Sequence, residues 1–203
     1  MKLHYSPTSP YVRKVMVLLH ETGQIGDVTL HEASGTPLSP AEGLEASNPL
    51  TKVPALERDD GPTLYDSRVI CAYLDDRAKA RLYPIGPARW ETLTLEATAD
   101  GMLDAALLMI YENRLRPEDK RLESWVEGQW GKITRACSAL ESRWISHLSG
   151  PLDMGQIAVG CALGYVEFRH GARGWRNGNP ALAAWFEEFD SRALMRATAP
   201  PAG

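Results

Sequence analysis

The chain has 203 residues, which suits one large domain or two small ones at roughly 100–200 residues per domain. Hydrophobic residues make up 44% and charged residues 24%, a balance that builds a core and excludes intrinsic disorder as the main state. The net charge of -4 offers no cationic footprint for a phosphate backbone, so nucleic acid is not an expected partner.

Lys2 to Tyr5 and Val28 to His31 are short strand-type runs. Between them, Tyr11 to Thr22 sets Val12, Val15, Met16 and Leu19 at helical spacing. The order is β-α-β, for which a right-handed crossover between parallel strands is expected. After a loop rich in Gly, Pro and Ser (Ser34 to Pro40), Ala41 to Ala46 has room for one or two helical turns before Asn48-Pro49 stops them. Ala55 to Glu57 and Thr63 to Tyr65 flank Asp59-Asp60-Gly61, a tight-turn signal that predicts a hairpin. A helix follows from about Ser67 to Arg77, with Val69, Ile70, Tyr73 and Leu74 on one face.

Ala78 to Pro87 contains two prolines and a glycine without periodicity and reads as a linker. Everything beyond it reads as helix. Ala88 to Leu115 carries Leu93, Ala97, Leu103, Leu107 and Ile110, and Pro117 is expected to open a second long helix running to about Leu148. Short turns between them imply antiparallel neighbours. Asp153-Met154-Gly155-Gln156 predicts a capping box, with the Asp153 side chain accepting a backbone N–H and Gln156 reaching back, ahead of an apolar helix through Phe168. Asn179-Pro180 starts a last helix to about Arg192, with Leu182, Trp185, Phe186 and Phe189 inward. The tail from Ala197 to Gly203 is expected to be loose. All six tryptophans (Trp90, Trp125, Trp130, Trp144, Trp175, Trp185) fall in the helical half, where they are expected to build its core and interfaces.

The longest apolar run, Ala105 to Tyr111, has seven residues, against the 18–20 or so that a membrane helix needs. No membrane span is expected. Met1-Lys2-Leu3 leads straight into the first strand without a leader pattern, which makes the cytoplasm the default compartment. Cys71, Cys137 and Cys161 have no short pair spacing and are expected to be reduced, and none of the five histidines sits at metal-ligand spacing.

Three places have the residue types that chemistry needs. Ser9-Pro10 is a cap followed by a first-turn proline, and a hydroxyl there stands among free N–H groups at the positive end of a helix. An anionic sulfur would be stabilised at such a point. With no neighbouring histidine in sequence to act as a base, Ser9 suits a hydrogen-bond donor and not a nucleophile. Lys52-Val53-Pro54 is an ordinary strand entry that gains functional meaning only through a cis bond. Asp66-Ser67 caps the next helix, and the same groups suit a zwitterion: a ligand carboxylate on the Ser67 N–H and hydroxyl, a ligand ammonium on the Asp66 carboxylate. Taken singly, capping and strand entry satisfy all three. Tyr5 reads as a packed or interfacial tyrosine, Cys71 as a small buried hydrophobe, and Tyr111, Arg114 and Arg116 as a solvated helix end or the border of a second-substrate pocket.

In this order within a βαβ-ββα unit ahead of a helical region, the three motifs resemble the glutathione transferase superfamily over nearly the whole chain. Small bacterial serine-type members are the nearest in pattern. They open with Ser-Pro-aromatic-Val-Arg-Lys, as Ser9 to Lys14 does, and have Ala-Asp-Gly-x-x-Asp-Ala, as Ala99 to Ala105 does. The resemblance implies an α/β thioredoxin-like N-terminal domain (1–77) that binds glutathione, a linker (78–87) and an all-α C-terminal substrate domain (88–203). Ser9 falls where thiol oxidoreductases of that fold place the first cysteine of Cys-Pro-x-Cys. With Val12 at the second cysteine's position, disulfide exchange is excluded.

Carried over residue by residue, the resemblance implies that Ser9 stabilises the glutathione thiolate and Lys52 approaches the glycyl carboxylate. It has Val53, cis to Pro54, pair its backbone with the cysteinyl backbone in the manner of an added strand. Asp66 and Ser67 would grip the γ-glutamyl end. Asp100 resembles an acidic residue that in some members reaches the γ-glutamyl amine of a neighbouring subunit. The family usually starts its buried helix with Ser/Thr-x-x-Asp, so Asp153-x-x-Gln156 exchanges the two roles. The implied protein is a cytoplasmic, homodimeric detoxification transferase that uses glutathione as co-substrate and no metal to conjugate or reduce an electrophilic small molecule. A non-catalytic glutathione- or ligand-binding protein is the alternative, and a scaffold using the helical face is a third reading.

Overall fold

The computed structural model describes residues 1–201, and the last two residues of the predicted loose tail lie outside them. By packing, Met1–Tyr83 together with the segment from Ala193 onward forms one unit, and Pro84–Arg192 forms another.

The first unit is built on four strands, β1 (Lys2–Tyr5), β2 (Thr29–Glu32), β3 (Ala55–Arg58) and β4 (Gly61–Leu64), in the order β2-β1-β3-β4. β1 and β2 run parallel, joined through α1 (Pro10–Glu21), and β3 and β4 continue antiparallel before α2 (Ser67–Ala78). This is the thioredoxin-like arrangement. Side chains alternate along each strand: Leu3 and Leu56 face each other in register and are fully buried, whereas His4 and Glu57 belong to the other face. There Lys2, His4, His31, Glu57 and the 41–47 segment line a cavity of about 470 Å³. The 41–46 stretch makes only a single 3-10 turn, Leu44–Ala46, entered through Gly43 at φ 78.

Glu57 is the hub of that face. Its Oε1 lies 2.6 Å from His4 Nε2, 2.7 Å from the Ser47 hydroxyl and 2.9 Å from Lys2 Nζ. The hydrogen bonds from His4 and Lys2 outweigh the cost of burial and hold its carboxyl at about 2, down from 4.5. A depressed carboxylate contributes stability that is complete above 4.5 and fades as pH falls toward about 2. With a third of the side chain exposed, solvent screening limits the contribution to about 1 kcal/mol or less. Glu57→Gln is therefore expected to lower the urea midpoint modestly at pH 7 and to converge on the wild type as pH falls toward about 2. A gap that stays constant with pH would contradict the assignment.

The inward face of α2 differs from expectation. Ile70, Cys71 and Leu74 are fully buried, but Val69 is 47% exposed. Val69 is two positions from Cys71 and therefore some 200° around the helix from it.

The second unit holds α3 (Ala88–Leu115), α4 (Glu123–Ala139), α5 (Ile145–Leu148), α6 (Met154–His170) and α7 (Pro180–Asp190). α6 is buried along nearly its whole length and packs on α3. Close approach there requires glycine at 155, because a Cβ would stand 2.9 Å from Leu95 Cβ and 3.1 Å from the Thr92 carbonyl oxygen.

Four predicted features of the helical region are corrected. The second long helix does not start at Pro117. A 3-10 turn (Glu118–Lys120) intervenes, α4 starts at Glu123, and a π-helical stretch, Leu140–Trp144, separates it from α5. The Glu112 carboxylate accepts the Leu122 N–H at 3.0 Å and fixes the chain just ahead of the true start. The capping box is only half made. Asp153 Oδ1 accepts the Gln156 N–H at 3.0 Å, but the Gln156 amide donates to the Pro151 carbonyl at 2.7 Å and the His147 carbonyl at 3.2 Å instead of reaching back. Asn179 provides no side-chain cap for α7. The Glu141 carboxylate caps it from the π stretch, accepting from the N–H groups of Ala181 and Leu182 at 3.1 and 2.7 Å. Of the tryptophans only Trp175 is buried, and Trp90 and Trp125 are 69% and 45% exposed.

The last predicted helix also stops early, at Asp190. A further helix, α8 (Ala193–Ala197), belongs to the first unit, where the Met195 carbonyl accepts from Arg13 Nη2 at 2.9 Å.

Candidate active site

Strand order and direction decide where the three motifs meet. β1 ends at Tyr5 and leads into the Ser9 loop. β3 is antiparallel beside it, with Ala55 opposite His4, so the residues entering β3 lie at the same end of the sheet. β4 is antiparallel to β3, with Leu64 opposite Leu56, so the chain leaves β4 toward Asp66 at that end too. The Ser9, Val53-Pro54 and Asp66-Ser67 segments thus share one end of one sheet.

Ser9 is the N-cap of α1, with extended backbone (φ -80, ψ 120) ahead of Pro10. Its Oγ accepts the Val12 N–H at 3.4 Å, and its own N–H donates to the Ser6 carbonyl at 3.1 Å. A serine hydroxyl has one donor and two acceptor sites, so accepting from Val12 leaves the O–H proton to give elsewhere. The residue is partly exposed. The Ser34 hydroxyl donates to Ser6 Oγ at 3.1 Å and ties this loop to the end of β2.

The second segment is organised by a residue that the motifs do not include. Asn48, 2% exposed, donates from Nδ2 to the Lys52 carbonyl at 2.8 Å and accepts the Leu50 N–H at 3.0 Å. It fixes the turn that presents Val53. The Val53–Pro54 peptide is cis. Pro54 is buried, Val53 is half-buried and the Lys52 side chain is exposed.

At the third segment Asp66 is the N-cap of α2. Its Oδ1 accepts the Arg68 N–H at 3.0 Å, and Oδ2 pairs with Arg68 Nη2 at 2.8 Å. Burial pushes the Asp66 carboxyl upward, but the Arg68 hydrogen bonds and the charges of Arg68 and Lys14 outweigh it, and the group stays below its usual range. With 55% of its side chain exposed, the carboxylate can still receive a cation. Ser67 is only 2% exposed, so what it offers a ligand is narrow.

Motif reasoning missed Arg68 and Lys14. Lys14 lies in the Ser9 to Lys14 stretch and is completely buried in α1. A lysine on the buried side of an amphipathic helix is the signal that would have found it, because such a charge needs an anionic counterpart. Cys71 is buried as expected, and Tyr5 is part of β1. Asp100 lies in α3, only 8% exposed.

Comparison with known proteins identifies the family. Residues 3–82 match the model of the glutathione S-transferase N-terminal domain, and residues 123–188 match that of the C-terminal domain. An uncharacterised GST-like protein of Escherichia coli K12, YibF, is 34% identical, with 99% of each chain covered. The crystal structure of a glutathione transferase family member from Pseudomonas fluorescens Pf-5 with bound glutathione is 49% identical, superposes with a TM-score of 0.96 and covers 99% of both chains. A second Pf-5 structure, with bound S-(propanoic acid)-glutathione, is 48% identical with a TM-score of 0.92 and full coverage of both. Both domain models are matched in order, and these relatives run alongside the sequence essentially from end to end: the chain belongs to the glutathione transferase superfamily.

Proposed function

We propose that the protein is a serine-type glutathione transferase. Its thioredoxin-like domain (1–77) binds the tripeptide, and its helical domain (88–203), beyond the 78–87 linker, receives an electrophile for conjugation or reduction. The observation that carries this reading is the Ser9 hydroxyl: it caps α1 as an acceptor, is partly exposed, and retains its proton as a donor. A thiolate beside it gains that hydrogen bond and the field of the helix N-terminus. Both favour ionised over neutral sulfur, so more nucleophile is present at neutral pH, the thiol proton having left to solvent.

The other groups hold the tripeptide. The Val53 backbone pairs with the cysteinyl backbone, Lys52 meets the glycyl carboxylate, and Asp66 with Ser67 takes the γ-glutamyl end. That the Pf-5 relatives carry glutathione and an S-conjugate of it supports the same ligand here. As in the family, the working form is a cytoplasmic homodimer engaged in detoxification, and Asp100 is the residue to reach across to a neighbour's γ-glutamyl amine.

Calorimetric titration with glutathione tests the reading. The wild type is expected to bind, and Asp66→Ala to bind about tenfold or more weakly, the scale of one charge-assisted hydrogen bond. Equal affinity in the two proteins would remove Asp66 from the site. A panel of electrophiles and hydroperoxides decides between enzyme and carrier: binding without turnover of any member would support the non-catalytic alternative.

A further inference from the structure

Residues 41–47 share with the His4 and Glu57 face of the sheet the lining of a cavity of about 470 Å³. Among these residues only Leu44 is buried, at 3% exposure. Apolar packing therefore gives the segment a single anchor, and Ser47 provides a polar one at its end. The Ser47 hydroxyl donates to Glu57 Oε1 at 2.7 Å and lies 3.2 Å from His4 Nε2. A carboxylate has only acceptors to offer, so His4 Nε2, 2.6 Å from the same oxygen, donates to it as well, and Lys2 Nζ reaches it at 2.9 Å. The His4 ring is 5% exposed, stands edge-on to His31 with ring centres 5.0 Å apart, and makes no hydrogen bond through Nδ1. Among the described residues its polar tether is thus the Glu57–Ser47 pair alone.

The next residue carries this anchor toward the Val53 segment. The N–H groups of Ser47 and Asn48 both donate to the Leu44 carbonyl, at 3.0 and 2.8 Å, so one turn sets the two residues together. Asn48 Nδ2 then donates to the Lys52 carbonyl at 2.8 Å, its Oδ1 accepts the Leu50 N–H at 3.0 Å, and its own carbonyl accepts the Thr51 N–H at 2.8 Å. The Lys52 carbonyl belongs to the same planar peptide as the Val53 N–H, so fixing one directs the other. Every residue of this chain of bonds lies in the first unit.

We propose that Ser47 is a positioning residue for the glutathione site: its bonds to Glu57 and His4 latch the 41–47 segment to the sheet and, through Asn48, hold the Lys52–Val53 peptide in the orientation that receives the tripeptide backbone. The inference rests on the transferase reading above and adds to it a residue that touches no ligand. When only a fraction of the molecules hold this peptide correctly, the apparent dissociation constant rises by the inverse of that fraction. Activation of the bound thiol by Ser9 is a separate step and is left as it was.

Calorimetry and steady-state kinetics on Ser47→Ala test this. The dissociation constant for glutathione is expected to rise about tenfold, the scale of one charge-assisted hydrogen bond. At saturating glutathione kcat should stay within about twofold of the wild type. Ser47→Thr keeps the hydroxyl and is expected to bind like the wild type. Amide hydrogen exchange on the ligand-free protein gives a readout that does not depend on glutathione: the Leu50 and Thr51 N–H groups should exchange about tenfold faster in Ser47→Ala, with α1 and β1 unchanged. Unchanged exchange at Leu50 and Thr51 overturns the proposal, as does acceleration throughout the first unit, which marks general destabilisation. A fall in kcat without a loss of affinity overturns it too. If the wild type and Ser47→Ala bind glutathione equally, this inference falls and the transferase reading stands. If the wild type binds no glutathione, the transferase reading fails and takes this inference with it.

Discussion

Ser9→Ala is expected to lower the turnover number for conjugation by about 10²–10³-fold, the usual cost of deleting one donor aimed at a developing or resident anion. Glutathione affinity should change by less than about threefold, because the proposed function assigns the grip on the tripeptide's charged ends and backbone to Lys52, Val53, Asp66 and Ser67 and not to this hydroxyl. The two readouts separate binding from activation. The thiol of bound glutathione should titrate nearer the ordinary thiol value of about 8.5, which a pH–rate profile or the ultraviolet absorbance of the thiolate would show as an upward shift. Ser9→Thr keeps a hydroxyl at the cap and should recover most of the rate. Loss of the cap itself does not explain the effect: at 3.4 Å the Ser9–Val12 bond is long, and removing it should cost about 1 kcal/mol or less of stability. A variant with wild-type turnover would take Ser9 out of the mechanism.

What the sequence makes legible here is local. The β-α-β order, the hairpin between β3 and β4 and the Ser9 and Asp66 caps each depend on residues within a few positions of one another, and each lies where pattern and turn chemistry put it, although the turn itself is only Asp59-Asp60 and Gly61 already belongs to β4. Superfamily membership adds the order of the two domains. Partners distant in sequence leave no such trace. The α7 cap comes from Glu141, some 40 positions upstream, so Asn179-Pro180 looked sufficient when it was not. α8 is too short for a periodic signal and is held by an arginine 182 positions away. The π stretch before α5 falls inside an unbroken helical pattern, because a π turn and an α turn ask for the same residue types. At the candidate site, Asn48, Arg68 and the buried Lys14 escaped notice for a related reason. Each acts through a backbone carbonyl, a neighbour's carboxylate or a field, and none completes a motif by itself.

The capping residue of the buried helix shows how far a local motif can understate its own weight. The sequence pattern assigns Asp153 one hydrogen bond, worth about 1 kcal/mol. In the fold its second oxygen also accepts from the Thr92 hydroxyl at 2.6 Å and from His147 Nε2 at 2.7 Å, and the residue is 7% exposed. One carboxylate thereby joins the start of α6, the first turns of α3 and the end of α5. Asp153→Ala is expected to cost about 3 kcal/mol, because it removes a charged acceptor shared by the helix N-terminus, the buried Thr92 hydroxyl and the half-buried His147 ring. For a chain of this length that corresponds to a fall of roughly 6–12 °C in Tm. Asp153→Asn distinguishes this hub from a simple cap. Asparagine caps a helix as well as aspartate does, but its amide has a single oxygen and cannot accept from Gln156, Thr92 and His147 together. A loss of about 1–2 kcal/mol is therefore expected for Asn by urea unfolding followed through tryptophan fluorescence. If Asn is tolerated within about 0.5 kcal/mol, Asp153 is a cap alone, and the bonds to Thr92 and His147 contribute nothing to holding α6 against α3.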